Sequence, residues 1–195
     1  MTKTLILALC AAALVPGAAL AAPVAGGMYK IDSNHTQALF QVSHMGFTEF
    51  NGVIPNATGT MMLDPANPAA DTLDVMLPVA ALSTTNATLD GELKDPSWLD
   101  AAQFPAIHFV ATKVTKTGET TALITGNLTM HGVTKPIVLD ARFIGAGANP
   151  LSKACTVGFA AKAVLKRSDF GVTKYVPLIG DDVTLKINAA FEKQG

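Results

Sequence analysis

Charge is scarce in this sequence and nearly balanced. Asp, Glu, Lys and Arg make up 15% of the 195 residues, 14 basic against 15 acidic, for a formal net charge of -1. With no basic stripe there is no electrostatic footprint for a phosphate backbone, which excludes a DNA- or RNA-binding module as the leading reading. Cysteine is scarcer still. Cys10 and Cys155 are the only two, too few for a zinc cluster or a disulfide framework. Helical periodicity is missing from most of the chain, and no Gly-x-Ser-x-Gly elbow announces a hydrolase. What the chain does have is apolar side chains, 49% of all residues. That fraction supports a sizeable core and rules out disorder for most of the length.

Residues 1–21 read as an export signal. Lys3 gives a positive start, Leu5 to Leu14 an apolar stretch, Pro16-Gly17 a break, and Ala19-Leu20-Ala21 the small-x-small pattern that places cleavage after Ala21. A retained membrane anchor fits less well, because the uncharged run is Ala-rich, broken by Pro16-Gly17 and lacks a basic stop-transfer flank. A lipoprotein anchor is disfavoured by Leu9 in front of Cys10. The expectation is a periplasmic protein with no transmembrane segment after cleavage. Residues 22–195 form one domain in this reading, with Cys155 as its sole thiol, expected to be buried and inert.

From Met28 onward the apolar period is mostly two, the mark of half-buried antiparallel strands. Ala38, Phe40 and Val42 share one face, as do Leu73, Val75, Leu77 and Val79, and Ile107, Phe109 and Ala111. The sets Ala122 to Met130, Val133 to Phe143, Val157 to Leu165 and Val183 to Phe191 continue the alternation. Turn residues separate the runs at Asp64–Pro68, Lys116–Glu119, His131-Gly132, Gly145–Gly147 and Gly180-Asp181, and the stretch Thr115 to Glu119 predicts a hairpin. Only Thr84 to Ala102 reads as helical, with Ser83 or Thr84 as its N-cap and Leu89 and Leu93 one turn apart. About eight hairpin-connected strands predict a mainly β fold, either a sandwich or an up-and-down barrel. The inward faces mix Phe40, Phe109, Phe159 and Leu185 with Ala38, Ala111, Gly126, Ala141, Ala161, Ala163 and Ala189. An eight-stranded barrel lined in this way has room for one small ligand, or the small residues fit a tapering, filled core.

Specific motifs then enter. Asp32-Ser33-Asn34-His35-Thr36 with Phe40-Gln41-Val42-Ser43-His44-Met45-Gly46 resembles the opening of the YceI-like family of polyisoprenoid-binding proteins. Gly52-Val53-Ile54, Phe104 to Phe109, the block Thr125 to Pro136, Arg167-Ser168-Asp169-Phe170-Gly171 and Gly180 to Val183 follow in the family's order. The likeness runs from about residue 29 to 192, with Gly126 to Pro136 as its most specific block. Two departures stand out: Asn56-Ala57-Thr58-Gly59 replaces a more apolar segment, and Thr36 stands where Ser is common. The resemblance implies an extended, eight-stranded, lipocalin-like antiparallel barrel with a short helical insert, exported to the periplasm, holding a long isoprenoid or fatty chain. It implies no catalysis, no cofactor and no metal.

The residues assigned to such a bore are Phe40, Val42, Phe109, Ile124, Leu128, Leu139, Phe159, Leu185 and Ile187, with Arg167 as a contact for a phosphate headgroup at the mouth. For each apolar residue the competing role is ordinary core packing, and for Arg167 a local salt bridge with Asp169. His35, His44, His108 and His131 lie 9, 64 and 23 residues apart, a spacing unlike that of a zinc site. Asp32 with His35, Ser33, Thr36 and Ser43 supplies hydrolase ingredients without a nucleophile setting, so Asp32 is expected in an Asx-type turn and His35 on a backbone hydrogen bond. Four Asn-x-Thr matches, starting at Asn34, Asn56, Asn86 and Asn127, are coincidental in a bacterial protein. The functional expectation is a non-catalytic carrier, store or sink for a lipid. The rival is an interaction protein with a side-chain-filled barrel that serves a redox or stress partner. A homodimer is left open.

Overall fold

The computed structural model describes residues 24–195. The segment read as an export signal lies outside them. Ten strands follow one another: β1 Gly27–Ile31, β2 Gln37–His44, β3 Thr48–Pro55, β4 Thr58–Leu63, β5 Thr72–Pro78, β6 Ala106–Lys116, β7 Thr121–Met130, β8 Val133–Ala148, β9 Cys155–Lys166 and β10 Ile179–Lys193. One α-helix, α1 Ala87–Lys94, lies between β5 and β6. Every pairing is antiparallel, and β10 closes the sheet by pairing with both β9 and β1.

The ten strands make eight staves. β1 pairs with the end of β10 (Ile31 opposite Phe191), and β2 continues down the same edge (Ala38 opposite Ile187). β4 lies beside β1, and β3 beside β2. Two long staves are therefore each bent once, at residues 32–36 and at residues 56–57. Chemistry at the bends explains the Asp32 to Thr36 motif. The Asn34 N–H donates to Asp32 Oδ1 at 3.0 Å, the Ser33 hydroxyl donates to the Ala57 carbonyl at 2.6 Å, and Thr36 Oγ1 accepts from the Ala190 N–H at 3.0 Å. Asp32 makes the expected Asx turn. His35 differs from expectation: its Nδ1 bonds the Asp32 carboxylate at 2.6 Å rather than backbone, because the turn brings that carboxylate under the ring. Asn56-Ala57, one of the departures from the family pattern, is the second bend, where Asn56 takes φ 61 and Ala57 is fully buried.

The predicted alternation holds through the barrel wall. In β7, Leu128 and Met130 are buried while Leu123 and Asn127 face solvent; in β8, Leu139 and Ala141 are buried while Val138, Asp140 and Arg142 are exposed. The hairpin predicted at Thr115 to Glu119 joins β6 to β7. Val79, placed in a strand by its period, instead sits in a short 3-10 turn at Val79–Ala81, buried against the core. The helix is shorter than predicted, and Asn86 caps it, accepting from the N–H groups of Thr88 and Leu89. Thr84 does other work: its N–H and hydroxyl both bond Asp90, which leaves Asn86 as the free acceptor at the first turn. Cys155 is half-buried, 4.0 Å from the Tyr29 hydroxyl. Among the described residues no helix is long and apolar enough to cross a membrane.

Candidate ligand bore

Strand direction fixes two distinct ends. The loops at residues 64–71, 117–120 and 149–154 form a hairpin end, while the insert at residues 79–105 and the loops at 45–47, 131–132 and 167–178 form a helical end. A single cavity of about 1000 Å³ runs between them. Val24, Pro65, Pro68, Asp71 and Thr120 border it at the hairpin end; His44, Phe50, Leu93, Trp98 and Tyr175 border it at the helical end. Its length follows from the wall: the 12 residues of β9 extend ~40 Å at ~3.3 Å per residue, or roughly 30 Å along the axis once strands tilt by 35–45°. The volume lies at the upper end of the usual range for ligand pockets, about 300–1,000 Å³.

All ten residues singled out from the sequence border this one cavity: Phe40, Val42, Phe109, Ile124, Leu128, Leu139, Phe159, Leu185, Ile187 and Arg167. The first nine come from β2, β6, β7, β8, β9 and β10, so the space is ringed by apolar side chains around most of its circumference. Two glycines keep the wall thin. The Phe40 ring lies over Gly52 and the Phe109 ring over Gly126, each occupying the space that a side chain there would fill. Towards the hairpin end, Phe159 packs edge-on against both Phe143 and Phe191, with centroids 5.7 and 6.2 Å apart.

Arg167 sits at the helical end and is only 5% exposed. Its Nε, Nη1 and Nη2 donate to the carbonyls of Gly180, Val172 and Ile179 at 2.9, 2.9 and 2.8 Å, and its guanidinium lies 5.2 Å from the centre of the Trp98 ring. Three of five donors therefore tie the β9–β10 loop to the barrel. Burial lowers the Arg167 pKa, and the Asp181 charge opposes that shift. The salt bridge weighed with Asp169 does not form. Lys166 pairs instead with Asp182 at 3.0 Å, and Asp181 accepts from the Ser168 N–H and hydroxyl at 2.9 and 2.8 Å. Burial alone would raise the Asp181 carboxyl, yet these Ser168 bonds hold it below the usual range.

Sequence reasoning missed the cluster that borders the bore at the helical end. Glu92 of α1 accepts from Trp98 Nε1 at 3.2 Å and from Lys174 Nζ at 3.4 Å, while Lys174 also donates to Ser97 Oγ at 2.8 Å. Lys174 Nζ lies 5.2 Å from the Tyr175 ring centre, and Tyr175 stands edge-on to Trp98. These residues are up to 83 positions apart (92 and 175), so no local period announces them. The histidines go to separate places. His35 holds the first bend, His108 bonds Asp74 on the outer surface at 2.8 Å, His131 Nδ1 bonds the Phe170 carbonyl at 3.1 Å, and His44 stands exposed at the end of β2. Among the described residues no group of three His, Cys, Asp or Glu stands close enough to hold a metal ion.

A closed, antiparallel, eight-stave barrel around a continuous apolar bore is the class of protein that fold and site define here. The particular lineage follows from comparison: the YceI-like domain matches residues 29–191, and the chain belongs to that family. A UPF0312 protein of Pseudomonas savastanoi pv. phaseolicola is 38% identical over 188 residues, covering 95% of this chain and 93% of the relative. The crystal structure of Burkholderia cenocepacia BcnA shares the fold at TM-score 0.74 and 21% identity, over 82% of this chain and 98% of that one. A polyisoprenoid binding domain from Saccharophagus degradans, implicated in plant cell wall breakdown, shares it at TM-score 0.63 and 13% identity, over 85% and 98%.

Proposed function

We propose that this protein is a non-catalytic, exported periplasmic carrier or store that holds a polyisoprenoid or similar long-chain lipid along its bore. The observation that carries the reading is the end-to-end cavity of about 1000 Å³ with its apolar lining. The family membership and the polyisoprenoid-binding neighbour support it. Hydrocarbon needs no directional partner, because removing it from water provides the driving force, roughly 0.8 kcal/mol per methylene. Four buried isoprene units give a gross ~16 kcal/mol, against an association cost of ~4–15 kcal/mol. The cavity supports this reading over that of an interaction protein whose barrel is packed with its own side chains.

Phe40, Val42, Phe109, Ile124, Leu128, Leu139, Phe159, Leu185 and Ile187 are the proposed chain contacts. Arg167, with two N–H groups not spent on carbonyls, is the proposed headgroup contact. No step of chemistry is assigned to the site. The test is mass spectrometry of an organic extract from natively purified protein, and the expected result is a co-purified isoprenoid or fatty species at near-stoichiometric level. Repeated extracts free of lipid, together with failure to take up added prenyl alcohols, would sink the carrier reading.

A further inference from the structure

The two ends of the barrel meet solvent with different surfaces. At the helical end, the β2–β3 turn and the last part of the β9–β10 loop present Phe47, Leu178, Tyr175 and Met45, which are 84%, 64%, 55% and 49% exposed. The two loops are stitched together, since the Met45 N–H donates to the Leu178 carbonyl at 2.9 Å. Further backbone bonds from Ile179 to Tyr175 and from Val176 to Thr173 fix the second loop. The apolar rim is thus a built surface rather than the tip of a free strand end. It is also uncharged: residues 45–47 and 175–178 contain no Asp, Glu, Lys or Arg, and the adjacent Lys174 is engaged by Glu92 and Ser97. Met45 and Tyr175 border the bore itself, so rim and lining are continuous. The loops of the hairpin end are more polar, with Glu119, Asn149 and Lys153 on them and, among the described residues of these loops, Leu151 as the large exposed apolar side chain.

We propose that the helical end docks on the surface of a phospholipid bilayer of low net charge, and that lipid chains enter and leave the bore there. The docking stands on the rim alone, whereas the route of entry rests on the carrier reading above. Exposed, contiguous apolar side chains of this kind mark interaction surfaces. A patch of Phe, Tyr, Leu and Met matches the interfacial zone of a bilayer, where apolar bodies sink in and the Tyr hydroxyl stays with the headgroups. The absence of charge from residues 45–47 and 175–178 selects a zwitterionic surface over an anionic one, which would call for Lys and Arg. Seated in this way, the mouth of the bore opens directly into hydrocarbon, and a chain passes from bilayer to barrel without crossing water.

The test is co-sedimentation of the purified protein with phosphatidylcholine vesicles at low and high salt. Expected is binding at both ionic strengths, weakened at least tenfold by Phe47→Ser with Leu178→Ser and unaffected by Leu151→Ser at the opposite end. Circular dichroism checks that each variant is folded. Uptake of dispersed farnesol, followed by Trp98 emission, is expected to survive in the double variant. Vesicle binding that is absent in the parent, or equally strong in the double variant, overturns the docking. So does a concentration-dependent dimer, dissociated by the double variant, in a protein that ignores vesicles, since the rim would then face a second copy. Rim-dependent vesicle binding without any farnesol uptake upholds the docking and removes the carrier reading.

Discussion

The Phe40 ring fills the space in which a side chain at Gly52 would begin. The two residues are direct cross-strand partners in β2 and β3, and the three atoms nearest a β-carbon on Gly52 all belong to that ring. The pair therefore sets how far the wall intrudes on the bore. Any larger residue at position 52 displaces the ring, and the free direction is inward.

Gly52→Ala is expected to push Phe40 into the cavity, at a strain of about 1–3 kcal/mol, and to lower affinity for a long prenyl alcohol on the order of tenfold. Adding Phe40→Leu to Gly52→Ala removes the far end of the clash and should restore uptake. Titration by Trp98 emission, the chain having a single Trp, reads both. Unchanged affinity in Gly52→Ala would mean that ring position does not control the bore.

Arg167→Ala is expected to destabilise the fold by about 3 kcal/mol, because three carbonyls, that of Val172 buried and those of Gly180 and Ile179 partly so, lose charged donors at once. Arg167→Lys should recover only part, since an ammonium lacks the planar fork that reaches Val172, Ile179 and Gly180 together. Urea denaturation with an unchanged m-value measures it. A headgroup role adds a second expectation: Arg167→Lys weakens binding of a prenyl phosphate more than that of the free alcohol.

How much of this was legible beforehand depended on locality. The inward faces of β2, β5 and β7 to β10 could be read because a period of two is a local property, and Ala38, Phe40 and Val42 or Leu139 and Ala141 sit where it put them. The helix cap was misjudged because Ser83, Thr84 and Asn86 are all good caps. The decision lay with Asp90, which engages Thr84 from six residues away. Eight staves made from ten strands rest on the bends at Asp32–Thr36 and Asn56-Ala57, whose partners Ala57 and Ala190 are distant in sequence. The apolar rim had a weak signal in Tyr175-Val176-Pro177-Leu178, an apolar run without alternation in a loop, but its exposure depends on the register of β2 against β10.

Stability should fall on both sides of neutrality. On the acid side, Asp32, Asp90, Asp95 and Asp181 have carboxyls held below their usual value by hydrogen bonds, against the effect of burial. A depressed carboxylate stabilises the fold above its unfolded pKa of about 4, and that contribution is lost as pH falls through the folded value. On the alkaline side, Tyr29 is raised to about 12 by burial and by the neighbouring Cys155. Its contribution is complete below the unfolded value near 10 and disappears as pH rises to the folded one. Melting temperatures measured across pH should therefore show a plateau, with losses below about pH 4 and above about pH 10. Tyr29→Phe should flatten the alkaline arm, although it also forfeits the 2.6 Å hydrogen bond to the Ala25 carbonyl. An alkaline arm of unchanged slope in that variant would assign the loss to other groups.

Ala161 offers the most direct measurement of whether the bore is open space. It borders the cavity from β9, directly opposite Ile187 of β10 on one side and Ala141 of β8 on the other. In a close-packed interior, Ala161→Phe would overpack and cost about 1–3 kcal/mol. Facing a cavity of about 1000 Å³, the same benzyl group enters empty volume and gains contacts, so thermal stability should hold or rise. Chain binding should be lost, because the ring stands across the path between the two ends. The paired outcome matters more than either half: a stable variant that no longer takes up lipid locates the ligand in the bore. A strongly destabilised variant would instead mean that side chains already occupy that space, and a stable one that still binds would place the lipid outside the barrel.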